Sequence, residues 1–247
     1  MNIDLCLFCY NYQRRLSWML SSIAQQIGDI PRIILNIASL RNNGNPLTED
    51  IVHIFRQYFE INHIVYDTKE ECTKRGIVRN RQIQETKSEW IFFADADHVY
   101  PVSFFADLKS NLELLSDSYS CITSISKHYT KTEETNALVD ATQDIVIDSA
   151  YQKASALPFV EKHERRVAGG SMQVIRRNAL MNRNQGRYVD PRACKDADMF
   201  SVNNRRYFSD VNVRENLNRT NFINLEPQIH LNHFRNWECG KIMEEQK

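Results

Sequence analysis

The chain has 247 residues, 42% of them apolar, and its 31 basic residues balance 31 acidic ones. That length is ample for a buried core, and net neutrality gives no overall field to draw the protein onto nucleic acid or anionic lipid without a local patch. No stretch reaches the roughly 18–20 apolar residues of a membrane helix, and the opening MNIDLCLFCYNYQRR lacks the basic start and small-residue cleavage site of a signal peptide, so a soluble, cytoplasmic protein with no membrane span is expected.

Residues 3–9, IDLCLFC, are almost continuously apolar, as in a strand covered on both faces. Cys6 and Cys9 are a C-x-x-C in spacing, but three residues apart on a strand they point to opposite faces and cannot share a zinc ion. The six cysteines are irregularly spaced and read as free thiols. Leu16, Met19, Leu20, Ile23, Ala24 and Ile27 recur at helical spacing. A second strand is predicted over 32–38, and a helix follows with Ile51, Ile54, Phe55 and Tyr58 on its stripe and Thr48 as its cap. A third strand over 61–67, a helix over 74–87 and a fourth strand, EWIFFA, come next. Alternation of this kind builds a mostly parallel sheet with helices on both faces, an α/β fold.

After Pro101, Phe104, Phe105, Leu108, Leu112 and Leu115 form another helical stripe. A strand is predicted over 119–126. From 127 to 165 the pattern loosens, GGSMQVIRRNAL returns to strand and helix, a helix is predicted near 194–206, and the last forty residues look irregular. No repeat or proline-glycine linker divides the chain, and one domain over 1–247 is the economical organisation, with 1–125 and 126–247 as its two halves.

The fourth strand ends in WIFFADADHVYP, where Asp95 and Asp97 stand one residue apart. Ligands of open parallel sheets bind beyond the carboxyl ends of the strands. Two carboxylates spaced two apart on extended chain point the same way, and beside apolar walls they repel unless one is protonated or a cation lies between them. Hard oxygen ligands suit Mn2+ or Mg2+. The competing reading is a solvated turn.

The order NYQRRLSWMLSSIAQQ, GIVRNRQIQETKSEWIFFADADHVYP, AGGSMQVIRRNAL, KDADMF resembles the family 2 glycosyltransferases and their GT-A-fold relatives, across roughly residues 1–205. The resemblance implies a GT-A, Rossmann-like fold and a metal-dependent enzyme that moves a sugar from a nucleotide-sugar donor, a UDP-sugar by default, to an acceptor hydroxyl. It places Mn2+ or Mg2+ on Asp95 and Asp97, Arg79 and Asn80 beside the nucleotide, Tyr10 and Asn11 against the nucleobase, and Gly169 and Gly170 where the chain passes the donor sugar. Asp196 falls at the general base of inverting members, with Asp198 as its competitor. A late histidine completes the metal set in several GT-A enzymes, and HLNHFRNW offers His230 and His233, of which His233 is favoured.

Two departures stand out. Lys195 occupies the first position of the family's acidic pair, and LNIASLRNN lacks the acidic cluster expected after the second strand, for which Asn36 or Ser39 could substitute. The acceptor classes that fit are a glycan, a protein or a modified nucleic acid, the last encouraged only by four Arg-Arg pairs. With seven glycines and neither a Walker loop nor a G-x-G-x-x-G fingerprint, a P-loop kinase and a dinucleotide oxidoreductase are excluded. The rivals are a nucleotidyltransferase on a similar sheet and a non-catalytic nucleotide-sugar or glycan-binding module.

Overall fold

The computed structural model describes residues 1–115, 121–124, 127–160, 172–183, 220–223 and 225–231. Strand and helix alternate as β1 (Asn2–Cys9), α1 (Gln13–Ala24), β2 (Arg32–Leu40), α2 (Thr48–Phe55), β3 (Glu60–Tyr66), α3 (Lys69–Thr73), α4 (Arg75–Glu85) and β4 (Trp90–Asp95). Then come β5 (His98–Val99), α5 (Phe104–Glu113), β6 (Cys121–Ser124), β7 (Lys127–Thr130), α6 (Thr132–Ala141), α7 (Ala150–Ser155), β8 (Phe159–Val160), β9 (Met172–Arg176), α8 (Arg177–Arg183), β10 (Thr220–Ile223) and β11 (Gln228–His230). The expected helix near 194–206 lies outside the described residues.

Among the described residues two sheets form: a seven-stranded one in the order β10-β6-β9-β4-β1-β2-β3 and a four-stranded one in the order β5-β11-β7-β8. In the larger sheet β4, β1, β2 and β3 run parallel, while β9 runs antiparallel between β4 and β6. The apolar runs of the sequence are explained by two-sided burial. Trp90, Phe92 and Ala94 enter one core with Ile3, Leu5, Leu7 and Cys9, and Ile91 and Phe93 enter the opposite one with Cys6 and Ile83. Cys6 and Cys9 therefore sit in different cores, and Cys6, Cys9 and Cys72 are buried free thiols; burial pushes the thiols of Cys9 and Cys72 up to about 12.

Polar side chains fix the layers where the apolar pattern stops. Asp4 is buried in β1; its carboxylate accepts from Asn36 Nδ2 at 2.8 Å and from the backbone N–H groups of Lys87 and Ser88 at 2.8 and 2.7 Å, which sets the chain's approach to β4. Gln82 donates to the carbonyls of Leu7 and Asn36 at 2.6 and 2.7 Å and pins α4 across β1 and β2. Helix α1 is shared by both layers: Leu16, Met19, Leu20 and Ile23 face the large sheet, and Trp18 packs with Val99 and Ile229 of the small one, with Leu231 just beyond β11 and with Val139 of α6. Just beyond α1, Gln26 donates to Pro101 O at 2.7 Å and accepts from Phe105 N, while Gln25 donates to Ile147 O at 2.7 Å.

Three expectations are corrected. The α1 stripe ends before Ile27, which is 61% exposed beyond the helix. Thr48 is not the cap of α2 but its first residue: Leu47 caps it, and the Thr48 hydroxyl turns inward toward Cys9 Sγ. The stretch 127–160 is not loose, because β7, α6, α7 and β8 build the second layer there, and 161–165 lie outside the described residues.

The turn after β1 is clasped to the loop after β2. Asn11 adopts a left-handed φ of 61°; its N–H donates to Asn43 Oδ1 at 3.1 Å, and its Oδ1 accepts from Asn43 Nδ2 at 3.0 Å. Gln13 donates to Asn43 O at 2.9 Å. Gly44, at φ +91°, lies against the Gln13 amide, so a Cβ there would overlap it. Gly44→Ala is expected to destabilise by the about 1–2 kcal/mol of left-handed backbone strain, plus about 1 kcal/mol for the displaced hydrogen bond. Chemical denaturation checks this, and an unchanged midpoint would show that the clasp gives way freely.

Candidate metal and donor site

Strand β4 delivers its last residue, Asp95, to the carboxyl edge of the sheet, and Ala96 and Asp97 then turn into β5. Because this is a turn and not extended chain, the two carboxylates part company. The Asp95 Oδ1 lies 4.0 Å from Arg79 Nη2. Asp97, only 7% exposed, faces two imidazoles: His98 Nδ1 is 3.0 Å from its Oδ1, and His230 Nε2 is 3.3 Å from its Oδ2. The rings of His98 and His230 meet edge-on with centroids 4.9 Å apart.

His230 comes from 133 residues beyond Asp97 in sequence, and it arrives through the small sheet. β11 pairs antiparallel with β5, setting His230 opposite His98 and Ile229 opposite Val99. The next peptide closes the contact, Leu231 N–H donating to Asp97 O at 2.8 Å. On the other edge β11 pairs with β7, and Thr130 Oγ1 donates to His230 O at 3.1 Å. Below the turn, Phe92 packs against Tyr100, Phe104 and Phe105 with ring centroids 6.1–6.5 Å apart. Burial, with the nearby Asp95 and Asp97 charges adding to it, holds the Tyr100 phenol well above its ordinary range.

One ligand atom from each of Asp97, His98 and His230 lies within 4.8 Å of the others. Ligands about 2.1 Å from an ion and at right angles stand about 3.0 Å apart, the scale of the separations here. The donor set therefore fits a divalent cation. One carboxylate with two imidazoles suits a first-row ion such as Mn2+ better than Mg2+, which prefers an all-oxygen octahedron. Asp95 stands outside this cluster and faces the buried Arg79, whose guanidinium lies 5.2 Å from the Phe93 ring centroid.

With this geometry in place, comparison with known proteins becomes decisive. The profile of Glycosyl transferase family 2 matches residues 4–183. The chain belongs to this family. No curated protein matches it in sequence. Similar solved structures share the GT-A fold at low identity. S. aureus TarS 1-349 in complex with UDP-GlcNAc is 13% identical over 95% of this chain and 59% of that one, with a TM-score of 0.60. The mannosyltransferase PcManGT from Pyrobaculum calidifontis, in complex with GDP-Man and Mn2+, is 14% identical over 99% of this chain and 61% of that one, with a TM-score of 0.58. Glucosyl-3-phosphoglycerate synthase from Mycobacterium tuberculosis, in complex with Mn2+, UDP and glucosyl-3-phosphoglycerate, is 14% identical over 97% of this chain and 75% of that one, with a TM-score of 0.50. The chain thus spans about 60% of TarS 1-349, and 38% of a longer TarS chain.

Against this family 2 frame the residues singled out in the sequence divide. Asp95, Asp97 and Arg79 meet at one edge of the sheet, with Asn80 buried beside Arg79 on α4. Tyr10 is half-buried at the end of β1, with Lys69 Nζ 5.9 Å from its ring centroid. Asn11 is engaged by Asn43 and shapes the turn that carries Tyr10. Neither suggested substitute for the missing acid is presented to a ligand: Asn36 is fully buried between Asp4 and Asn62, and Ser39 is buried against His63 Nε2 at 2.8 Å. At the ends of β2 and β3 the exposed pair is Arg41 and Asp67, 2.6 Å apart. Gly169, Gly170, Asp196, Asp198 and His233 lie outside the described residues; the other late histidine, His230, lies 3.3 Å from Asp97. His98 was missed; its signal is simply that it follows the second aspartate directly.

Among the described residues no helix is long and apolar enough to cross a membrane.

Proposed function

We propose that this family 2 chain transfers a sugar from a nucleotide-sugar donor to an acceptor hydroxyl and uses a divalent cation, Mn2+ in preference to Mg2+. The observation that carries the reading is the Asp97 carboxylate set between His98 and His230 at the carboxyl edge of the sheet, beside the Arg79–Asp95 pair. When bound there, the cation offsets the charge of the departing nucleoside diphosphate. Asp97, His98 and His230 would hold it. Arg79, buried and fixed over Phe93, places a second positive charge near the same oxygens, where a preorganised donor is worth most. Tyr10 offers a ring for the nucleobase, with UDP as the default nucleotide, and Asp95 is set to meet the ribose.

The transfer itself follows an inverting course with Asp196 as general base and Asp198 as the competing carboxylate. The acceptor O–H proton passes to the carboxylate as the oxygen bonds to the anomeric carbon. The bond from that carbon to the phosphate oxygen breaks, and its electron pair leaves with the diphosphate. TarS with UDP-GlcNAc and PcManGT with GDP-Man and Mn2+ support the donor class and the metal by likeness of fold.

Incubation with a panel of UDP- and GDP-sugars and Mn2+ tests the reading. Slow release of nucleoside diphosphate and free sugar is expected, faster with Mn2+ than with Mg2+. Cleavage that requires pyrophosphate would assign a nucleotidyltransferase instead, and binding without turnover would assign a binding module.

A further inference from the structure

Strand β11 has three residues and β5 two, so the ladder that sets His230 opposite His98 is very short. A slip of one residue turns every side chain on a strand to the other face, and here it would take the imidazole away from Asp97. The pairing of β11 with β7 adds three residues on its other edge, and a contact from outside the sheet holds the chain just beyond them.

Arg15 lies on α1, three residues before Trp18 and thus on the helix face that packs against the small sheet. Its Nε donates to Leu231 O at 3.3 Å, and its Nη2 donates to Asn136 Oδ1 on α6 at 2.6 Å. Residue Leu231 is therefore gripped on both sides, its N–H donating to the Asp97 carbonyl and its C=O accepting from Arg15. Half-buried as it is, the guanidinium also feels the Asp97 charge, which works against the effect of burial on it. One charged side chain thus spans α1, the end of β11 and α6, and it holds the carbonyl of the residue that directly follows His230.

We propose that Arg15 is a positioning residue for the metal cluster: by holding the Leu231 carbonyl it locks β11 in the register that presents His230 to Asp97. This rests on the metal reading above and extends it to a residue that touches neither cation nor donor.

The test uses Mn2+ as the probe on the full chain, by titration and by pulsed electron paramagnetic resonance, with and without UDP. His230→Asn identifies the nitrogen coupling that belongs to His230. Arg15→Gln is expected to lose that same coupling and to weaken Mn2+ binding by about ten- to a hundredfold, the usual scale for groups that orient a ligand. Arg15→Lys, which keeps one donor and the charge, recovers part of both. Should Arg15→Gln fail to fold in the absence of metal, Asn136→Ala takes its place, with a smaller loss of the same coupling expected. Wild-type coupling and Mn2+ affinity in Arg15→Gln, or in Asn136→Ala where it stands in, overturns the proposal; so does a loss confined to UDP affinity, which would make Arg15 a direct donor contact. In either case the metal centre stands. No Mn2+ binding by the wild type, with His230→Asn equally silent, overturns the metal centre and this inference together.

Discussion

Asp97→Asn is expected to abolish Mn2+-dependent binding of UDP and to lower sugar transfer at least about a hundredfold, the upper end of what disturbing a ligand's orientation alone costs. The substitution keeps shape and volume, but an amide has one oxygen and no charge. Its NH2 would face one of the two imidazoles that now meet carboxylate oxygens at 3.0 and 3.3 Å. Calorimetric titration of UDP with and without Mn2+ reads the effect, and circular dichroism confirms that the chain still folds. An affinity for UDP that stays metal-dependent and unchanged would remove Asp97 from the centre and the proposed role of the sheet edge with it.

The second large effect lies under the same turn. Phe92 is fully buried in β4 and touches Tyr100, Phe104 and Phe105, which lie on the chain leading from Asp97 and His98 into α5. Phe92→Ala should cost about 3–5 kcal/mol, the sum of lost apolar transfer and the cavity left behind. That is a large share of the 5–15 kcal/mol or so that a domain has in total. Urea denaturation followed by intrinsic fluorescence measures it. A loss below about 1 kcal/mol would mean that the neighbouring rings collapse into the gap, against the packing density of ordinary cores.

Much of the first 115 residues was legible because β1, β2 and β4 are buried on both faces. IDLCLFC and WIFFA advertise themselves as continuous apolar runs, and the stripe of α1 needs no context to be read. Asp95 and Asp97 were visible as chemistry for the same reason, since charge directly after such a run is conspicuous. The second layer was not legible. Its strands have two to four residues, too few for any periodicity, and they are held by contacts of long sequence separation such as Thr130 to His230 and Arg15 to Leu231. Alternation along HLNHFRNW could say that one histidine serves, but not which. The hold of Asn43 on Asn11 was equally hidden, because Asn43 is supplied by a loop 32 residues later.

Helix α1 carries a consequence for how the molecule moves. Its apolar side belongs to the large sheet, while Arg15 and Trp18 belong to the small one. A displacement of this one rod carries the turn bearing Tyr10 and the strand bearing His230 in the same direction. The spacing between Tyr10 and His230 is thus set by a shared wall and not by a hinge.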